Sequence, residues 1–300
     1  MSASPDAYTA PFMLTKGMHR DVYPAIDPAT NGALNASSKV VVVIGATSGL
    51  GFATAKSWSS AKAEGIVLVG RSIEGLKKAE KDLATTSKVL TIATDISSSA
   101  NTDALFKQVL EKFGRVDVVV NAVGAMNVAP VGAQPADAWW ENFEVNVKIP
   151  YNVSHSYITV AGGKGTLINI VSLAASFLAP AMSGYSASKL AVIKLGECLD
   201  LEQPNLRVFS VHPGMVVAEN GRGMVVEPFK PFTKDKAALF GGLTVYLATP
   251  KADFLKGTYL HANWDVTELE KHQKEVTEKK LNKLAFLNGQ LQPGGYAWSS

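Results

Sequence analysis

From Lys39 onward the chain alternates short runs of β-branched residues with longer stretches whose apolar positions recur every three or four residues. The short runs predict strands at 40–44, 66–69, 89–94, 116–120, 166–171, 206–211 and 258–261. The longer stretches predict helices at 50–63, 73–84, 102–113, 138–160, 185–201 and 236–248, the fourth bent near Pro150. Strands that are apolar almost throughout are buried on both faces, which is the habit of a parallel sheet, and right-handed crossovers then place helices on both sides of it. The expected fold class is α/β: one doubly wound parallel sheet of about seven strands, with ligands at the carboxyl ends of its strands.

Three segments fall outside this alternation. Residues 1–37 hold Pro5, Pro11, Pro24, Pro28 and Gly32 without periodicity and are expected to form an N-terminal extension. Within the body, residues 38–265, the Gly- and Pro-containing stretch from Ala218 to Thr233 is long for a strand-to-helix link and carries Phe229 and Phe232, so a substrate loop is expected there. Residues 266–300 mix Glu and Lys with Leu269, Val276, Leu281 and Leu284, predicting a C-terminal helical extension packed through one narrow stripe.

Composition narrows the partners. The chain has 300 residues, 47% of them hydrophobic, and 29 Lys and Arg stand against 26 Asp and Glu. No basic block marks a nucleic-acid footprint, so no nucleic acid is expected. No apolar stretch reaches the length of a membrane span, and residues 1–37 contain no apolar core of a leader, so no membrane partner is expected. The single cysteine, Cys198, rules out an internal disulfide and fits a reducing, cytoplasmic setting; in a helical run it reads as a small buried apolar side chain. No two of the 5 histidines share an i,i+4 spacing, and no metal site is expected. Trp139 and Trp140 are expected to pack against the core or a partner helix.

Candidate chemistry sits where strands meet helices. The first strand runs into Gly45-Ala46-Thr47-Ser48-Gly49-Leu50-Gly51 and then an apolar helix. Glycines there permit a tight turn and close approach to a pyrophosphate, which the amides of the helix N-terminus can receive. After the second strand comes Arg71, where an acidic residue would bind a ribose 2′-hydroxyl; a guanidinium instead favours a 2′-phosphate and therefore NADP(H) over NAD(H). Tyr185 and Lys189 are spaced i,i+4 on one helix face, so an ammonium beside the phenol is expected to lower its pKa for acid–base work.

The G-x-x-x-G-x-G spacing of the first turn, followed in order by these elements, resembles the short-chain dehydrogenase/reductase family over roughly residues 39–265. That resemblance implies a single Rossmann-like domain. It implies that Asp95 lies near the adenine, and that Asn121 and Gly124 stand in place of the family's N-N-A-G element. Ser172 would join Tyr185 on the substrate oxygen, Lys189 would also reach the ribose, and Asn146 would hold a water that completes a proton relay. Pro213, Gly214 and Val216 would face the nicotinamide, although Ala218 stands where many members carry a carboxamide-binding threonine. The charged tail in place of the usual terminal V-D-G-G resembles a group of fungal members, which often serve secondary metabolism.

The resulting expectation is an NADP(H)-dependent enzyme that reduces a carbonyl or oxidises a secondary alcohol on a small molecule. Non-redox chemistry on the same Tyr and Lys, such as dehydration, isomerisation or cyclisation, is the alternative. A homodimer or homotetramer through the helices carrying Asn146 and Tyr185 is expected from the same resemblance.

Overall fold

The computed structural model describes residues 4–83, 86–217 and 227–285. Seven parallel strands form one sheet: β1 Val40–Ile44, β2 Gly65–Gly70, β3 Lys88–Ala93, β4 Val118–Asn121, β5 Gly165–Ile170, β6 Leu206–His212 and β7 Thr258–His261. Their spatial order is β3-β2-β1-β4-β5-β6-β7, a doubly wound Rossmann-like sheet that reverses direction between β1 and β4.

The period-2 alternation of strands explains how the sheet is covered. Val41 and Val43 of β1 face one core with α1 (Gly49–Ser60), α2 (Ile73–Leu83) and α7 (Ala237–Leu247). Val40, Val42 and Ile44 face the other, with α3 (Ser99–Phe113) and α5 (Ile149–Thr159). On the first side α7 lies very close to α1, because a Cβ at Gly241 would come within 2.4 Å of the Ser57 hydroxyl. The same contact is pinned by the indole of Trp58, which donates to Thr244 Oγ1 at 3.0 Å.

Three expectations change. The segment 138–160 is not one helix: it divides, close to Pro150, into α4 (Ala136–Phe143), a π-helical turn at Glu144–Lys148, and α5. Pro150 follows directly on the π turn, and helical backbone runs through Lys148 and Ile149, so the wider turn accommodates the amide hydrogen that a proline lacks. Cys198 is exposed, because α6 (Ser183–Glu202) buries the face carrying Tyr185, Lys189, Val192, Gly196 and Leu199 and turns Cys198 outward with Lys194 and Leu201. The tail forms two short helices, α8 (Val266–Lys271) and α9 (Gln273–Glu278), broken at His272; Leu269 and Val276 are buried, whereas Leu284 is exposed.

The first residues are tied into this body. His19 and Asn263 exchange two hydrogen bonds of 2.9 Å, the Trp264 indole donates to the Phe12 carbonyl, and the amides of Lys16 and Gly17 donate to Glu268. Ile26 is fully buried, and its carbonyl would stand 2.4 Å from a Cβ at Gly242 in α7. Arg20 joins Asp6 to Asp235, whose side chain is wholly enclosed and which accepts from Arg20 Nη1 at 2.7 Å. Removing a partner from a buried ion pair leaves an uncompensated charge. Arg20→Ala should therefore lower unfolding stability by about 3 kcal/mol, whereas Lys78→Ala, which breaks an exposed pair on α2, should change it by less than about 0.5 kcal/mol. Urea unfolding of the two variants checks the contrast.

Candidate active site

The reversal between β1 and β4 opens a crevice at the carboxyl ends of the strands, and the sequence-predicted residues gather along it. On the β1 side, Gly45 and Gly49 take φ of +84° and +54°, conformations that favour glycine. A Cβ at Gly51 would fall 2.1 Å from the Gly45 carbonyl oxygen, so α1 can lie on the turn only if that position is glycine. Ser48 is the extended N-cap of α1, leaving the first-turn amides at Gly49, Leu50 and Gly51 without helical acceptors before them. The methyl of Thr47 fills the room left by Gly70 and Gly75, linking the turn to the end of β2 where Arg71 stands exposed.

Asp95 lies just beyond β3. The amide and hydroxyl of Ser97 hold its carboxyl below the usual range, slight burial opposes them, and the Arg71 guanidinium adds to the lowering. Asn121 closes β4 beside Asn169 of β5, donating to its side-chain oxygen at 3.4 Å and accepting from the Val123 amide at 3.3 Å. Gly124 follows in the irregular segment after β4.

On the other side, Ser172 follows the end of β5, Tyr185 lies in the first turn of α6, and Lys189 lies one turn later. All three side chains are buried. Lys189 Nζ donates to the Ile170 carbonyl at 3.0 Å, and burial draws its pKa down from 10.5 to about 8. Tyr185 departs from the sequence expectation: burial pushes its phenol above the ordinary value of 10, and the Ser172 hydroxyl only partly opposes this. The lysine ammonium is 5.9 Å from the ring centroid and turned to the Ile170 carbonyl, so desolvation of the phenolate outweighs its attraction.

Asn146 lies in the π turn, and its carboxamide is engaged with protein. Its oxygen accepts from the Ala125 amide at 2.9 Å, while its nitrogen donates to the Ala125 carbonyl at 2.8 Å and to Ser188 Oγ at 3.0 Å. It thus clamps the segment after β4 to α6, next to Lys189. Pro213 and Gly214 are buried at the end of β6, and Val216 bridges to Asp235. Asp235 accepts from the Met215 amide at 2.6 Å, in space that a Cβ on Gly214 would invade. Ala218 lies outside the described residues.

A cleft opens over Ser172 and Tyr185, with Leu50 from the glycine turn and Pro213, Gly214 and Val216 on its walls. Sequence reasoning did not single out Tyr8, Met126, Phe177 or Met182 among its lining side chains, because no local spacing connects them to the strand ends. His212 also lines it; its Nδ1 accepts from the Leu173 amide, and its ring lies 4.2 Å from that of His261. Burial, helped for His212 by the neighbouring imidazole, holds both rings below the usual 6.5, His261 at about 4. Among the described residues no group of three or more His, Cys, Asp or Glu is placed to hold a metal, and no helix is long and apolar enough to cross a membrane.

A family profile described as short chain dehydrogenase matches residues 39–225. The chain belongs to the short-chain dehydrogenase family. This short-chain dehydrogenase is 29% identical over 281 residues to the short chain dehydrogenase mpl6 of Monascus purpureus, covering 90% of this chain and 95% of that one. It is 31% identical over 278 residues to the short chain dehydrogenase/reductase nsrO of Aspergillus novofumigatus, covering 85% and 90%. In fold it is similar to a 7α-hydroxysteroid dehydrogenase solved with NADH and 7-oxo glycochenodeoxycholic acid, at TM-score 0.71 and 21% identity over 77% of this chain and 95% of that one. It is also similar to an actinorhodin polyketide ketoreductase solved with NADPH, at TM-score 0.66 and 24% identity over 74% and 95%. Membership makes the chain an oxidoreductase that uses a nicotinamide cofactor.

The depressed pKa of Lys189 sets a pH dependence of folding. Below about pH 8 the folded chain carries the cost of a buried ammonium; between 8 and 10.5 it has released a proton that the unfolded chain still binds, so this contribution to stability rises with pH. Above about pH 10 the tyrosines act oppositely, since buried Tyr157, Tyr246 and Tyr259 hold protons that the unfolded chain sheds. Urea unfolding from pH 7.5 to 9.5 without cofactor should show wild type gaining on Lys189→Met across this window. Parallel curves for the two proteins would place the Lys189 pKa elsewhere.

Proposed function

We propose that this short-chain dehydrogenase is an NADP(H)-dependent carbonyl reductase, able in reverse to oxidise a secondary alcohol. The observation that carries the reading is the buried group of Ser172, Tyr185 and Lys189 at the polar end of an apolar cleft, beside a glycine turn open to a dinucleotide.

The residues suit the cofactor. A Cβ at Gly49 would meet nothing within 4 Å, so the turn is an open cradle, and the α1 amides at Gly49 to Gly51 would receive a pyrophosphate together with Thr47 and Ser48. Arg71 would take the 2′-phosphate, Asp95 would lie by the adenine, Asn121 and Gly124 would border the ribose, and Pro213, Gly214 and Val216 would back the nicotinamide. Bound NADPH supplies the hydride that reduces the carbonyl carbon. Tyr185 gives its phenolic proton to the carbonyl oxygen as negative charge grows there, and the Ser172 hydroxyl shares that oxygen. Lys189 stabilises the phenolate left behind and would hold ribose hydroxyls. Asn146, bonded to Ala125 and Ser188, keeps α6 at the depth this requires and supports a water that returns the proton.

The relatives in Monascus and Aspergillus favour a role in fungal secondary metabolism, and the single cysteine, Cys198, fits a cytoplasmic setting. Trp140 on α4, Tyr151 on α5 and Leu201 on α6 are each more than half exposed, and a homodimer or homotetramer through these helices would bury them.

Ketone-dependent loss of NADPH absorbance tests the reading directly; turnover of substrate without it would point to non-redox chemistry at Tyr185. Tyr185→Phe should keep NADPH affinity while kcat falls by at least about 10²-fold. Arg71→Ala should weaken NADPH by roughly 10-fold or more and leave NADH nearly unchanged, as expected for loss of a charge-assisted contact. Equal weakening of both cofactors would remove Arg71 from the phosphate site.

A further inference from the structure

Tyr8 is remote in sequence from the reacting groups, yet its ring lines their cleft. It meets Phe229 edge-on at 5.0 Å, Phe232 edge-on at 4.8 Å and Phe177 at 6.2 Å. Phe177 belongs to the connection between β5 and α6, whereas Phe229 and Phe232 belong to the 3-10 turn Glu227–Phe232 before α7. One ring from the N-terminal arm therefore bridges the two walls of the cleft. Phe12 repeats the contact to Phe177 at 5.6 Å.

The arm is held in that position. Arg20 grips Asp6, two residues before Tyr8, and also the enclosed Asp235 that bonds the Met215 amide on the cleft wall. Thr9, next to Tyr8, is 1% exposed and accepts from Arg20 Nη1. Between this aromatic mouth and the polar end at Ser172 and Tyr185, the cleft is lined mainly by carbon. Such a surface gives a flat ring system both apolar burial and edge-to-face contacts, which an extended alkyl chain does not obtain to the same degree.

We propose that the N-terminal arm is part of the substrate site, and that Tyr8 is a specificity-determining residue selecting apolar carbonyl compounds that carry a flat ring system. The assignment rests on the carbonyl-reductase reading for the polar end of the cleft.

The test is isothermal titration of the full chain, with and without NADPH, using 1-tetralone and 2-decanone, ketones of equal carbon count. Wild type should bind the bicyclic ketone roughly tenfold more tightly. Tyr8→Ala should lose most of that preference and Tyr8→Phe should keep it, since the ring and not the hydroxyl makes the contacts. Tyr8→Leu retains bulk without aromaticity and decides the matter if Tyr8→Ala does not fold: loss of preference supports the assignment and retention overturns it. No preference in wild type, or equal weakening of both ketones in Tyr8→Ala, would reduce Tyr8 to a structural part and overturn the proposal. Tight, Tyr8-dependent binding of 1-tetralone without consumption of NADPH would overturn the carbonyl-reductase reading and leave the arm's role standing. Reduction of both ketones at rates indifferent to Tyr8 would do the reverse.

Discussion

The ammonium of Lys189, buried almost completely, is held by the carbonyl of Ile170, and the arrangement of the reacting groups hangs on that bond. Burying a charge costs several kcal/mol unless partners compensate, and one carbonyl does so only in part, which is why the lysine pKa falls to about 8. The bond joins the last residue of β5 to α6. Ser172 lies just past Ile170 and Tyr185 one turn before Lys189, so the seating of α6 on the sheet places all three at once. That helix has little freedom to slide: a Cβ at Gly196 would come within 2.8 Å of Ser210 Oγ on β6, and Asn146 bonds Ser188 two turns earlier.

The irregular parts of the chain serve the same end of the sheet. The π turn at Glu144–Lys148 brings the Asn146 carboxamide to Ala125, fixing the segment that leaves β4. Asp235 serves the other side, accepting both the Met215 amide and the Arg20 guanidinium, so the wall after β6 and the N-terminal arm share one anchor. Rigid strands thus present the polar groups, and loops pinned by a few enclosed side chains shape the apolar space around them.

Much of the sheet was legible because its signals are local. Four consecutive valines followed by isoleucine in β1 leave no solvent face, and two glycines with positive φ mark the turn beyond it. The i,i+4 spacing of Tyr185 and Lys189 survives in α6 because a helix carries it wherever the helix goes. Pro150 marked where the long helical segment is irregular, but a proline does not specify the form of the irregularity, and the π turn just before it appears only in the folded chain. Cys198 misled because the apolar pattern of α6 is nearly continuous, with Leu190 and Leu201 on its exposed side.

The sequence by itself determined the strands, the glycine turn and the helix that carries Tyr185 and Lys189, since these follow from neighbours within a few residues, and the strand–helix alternation along the chain implied a parallel sheet. Tertiary structure decided the protonation of the pair: the direction of a pKa shift depends on how far each group is desolvated and on which acceptor the ammonium finds, and Ile170 is distant from Lys189 along the chain. It also decided that Tyr8 shares a cleft with Phe177 and Phe229. Contacts between residues so far apart are set by how the strands and loops close on one another, and no periodicity in the chain records that closure.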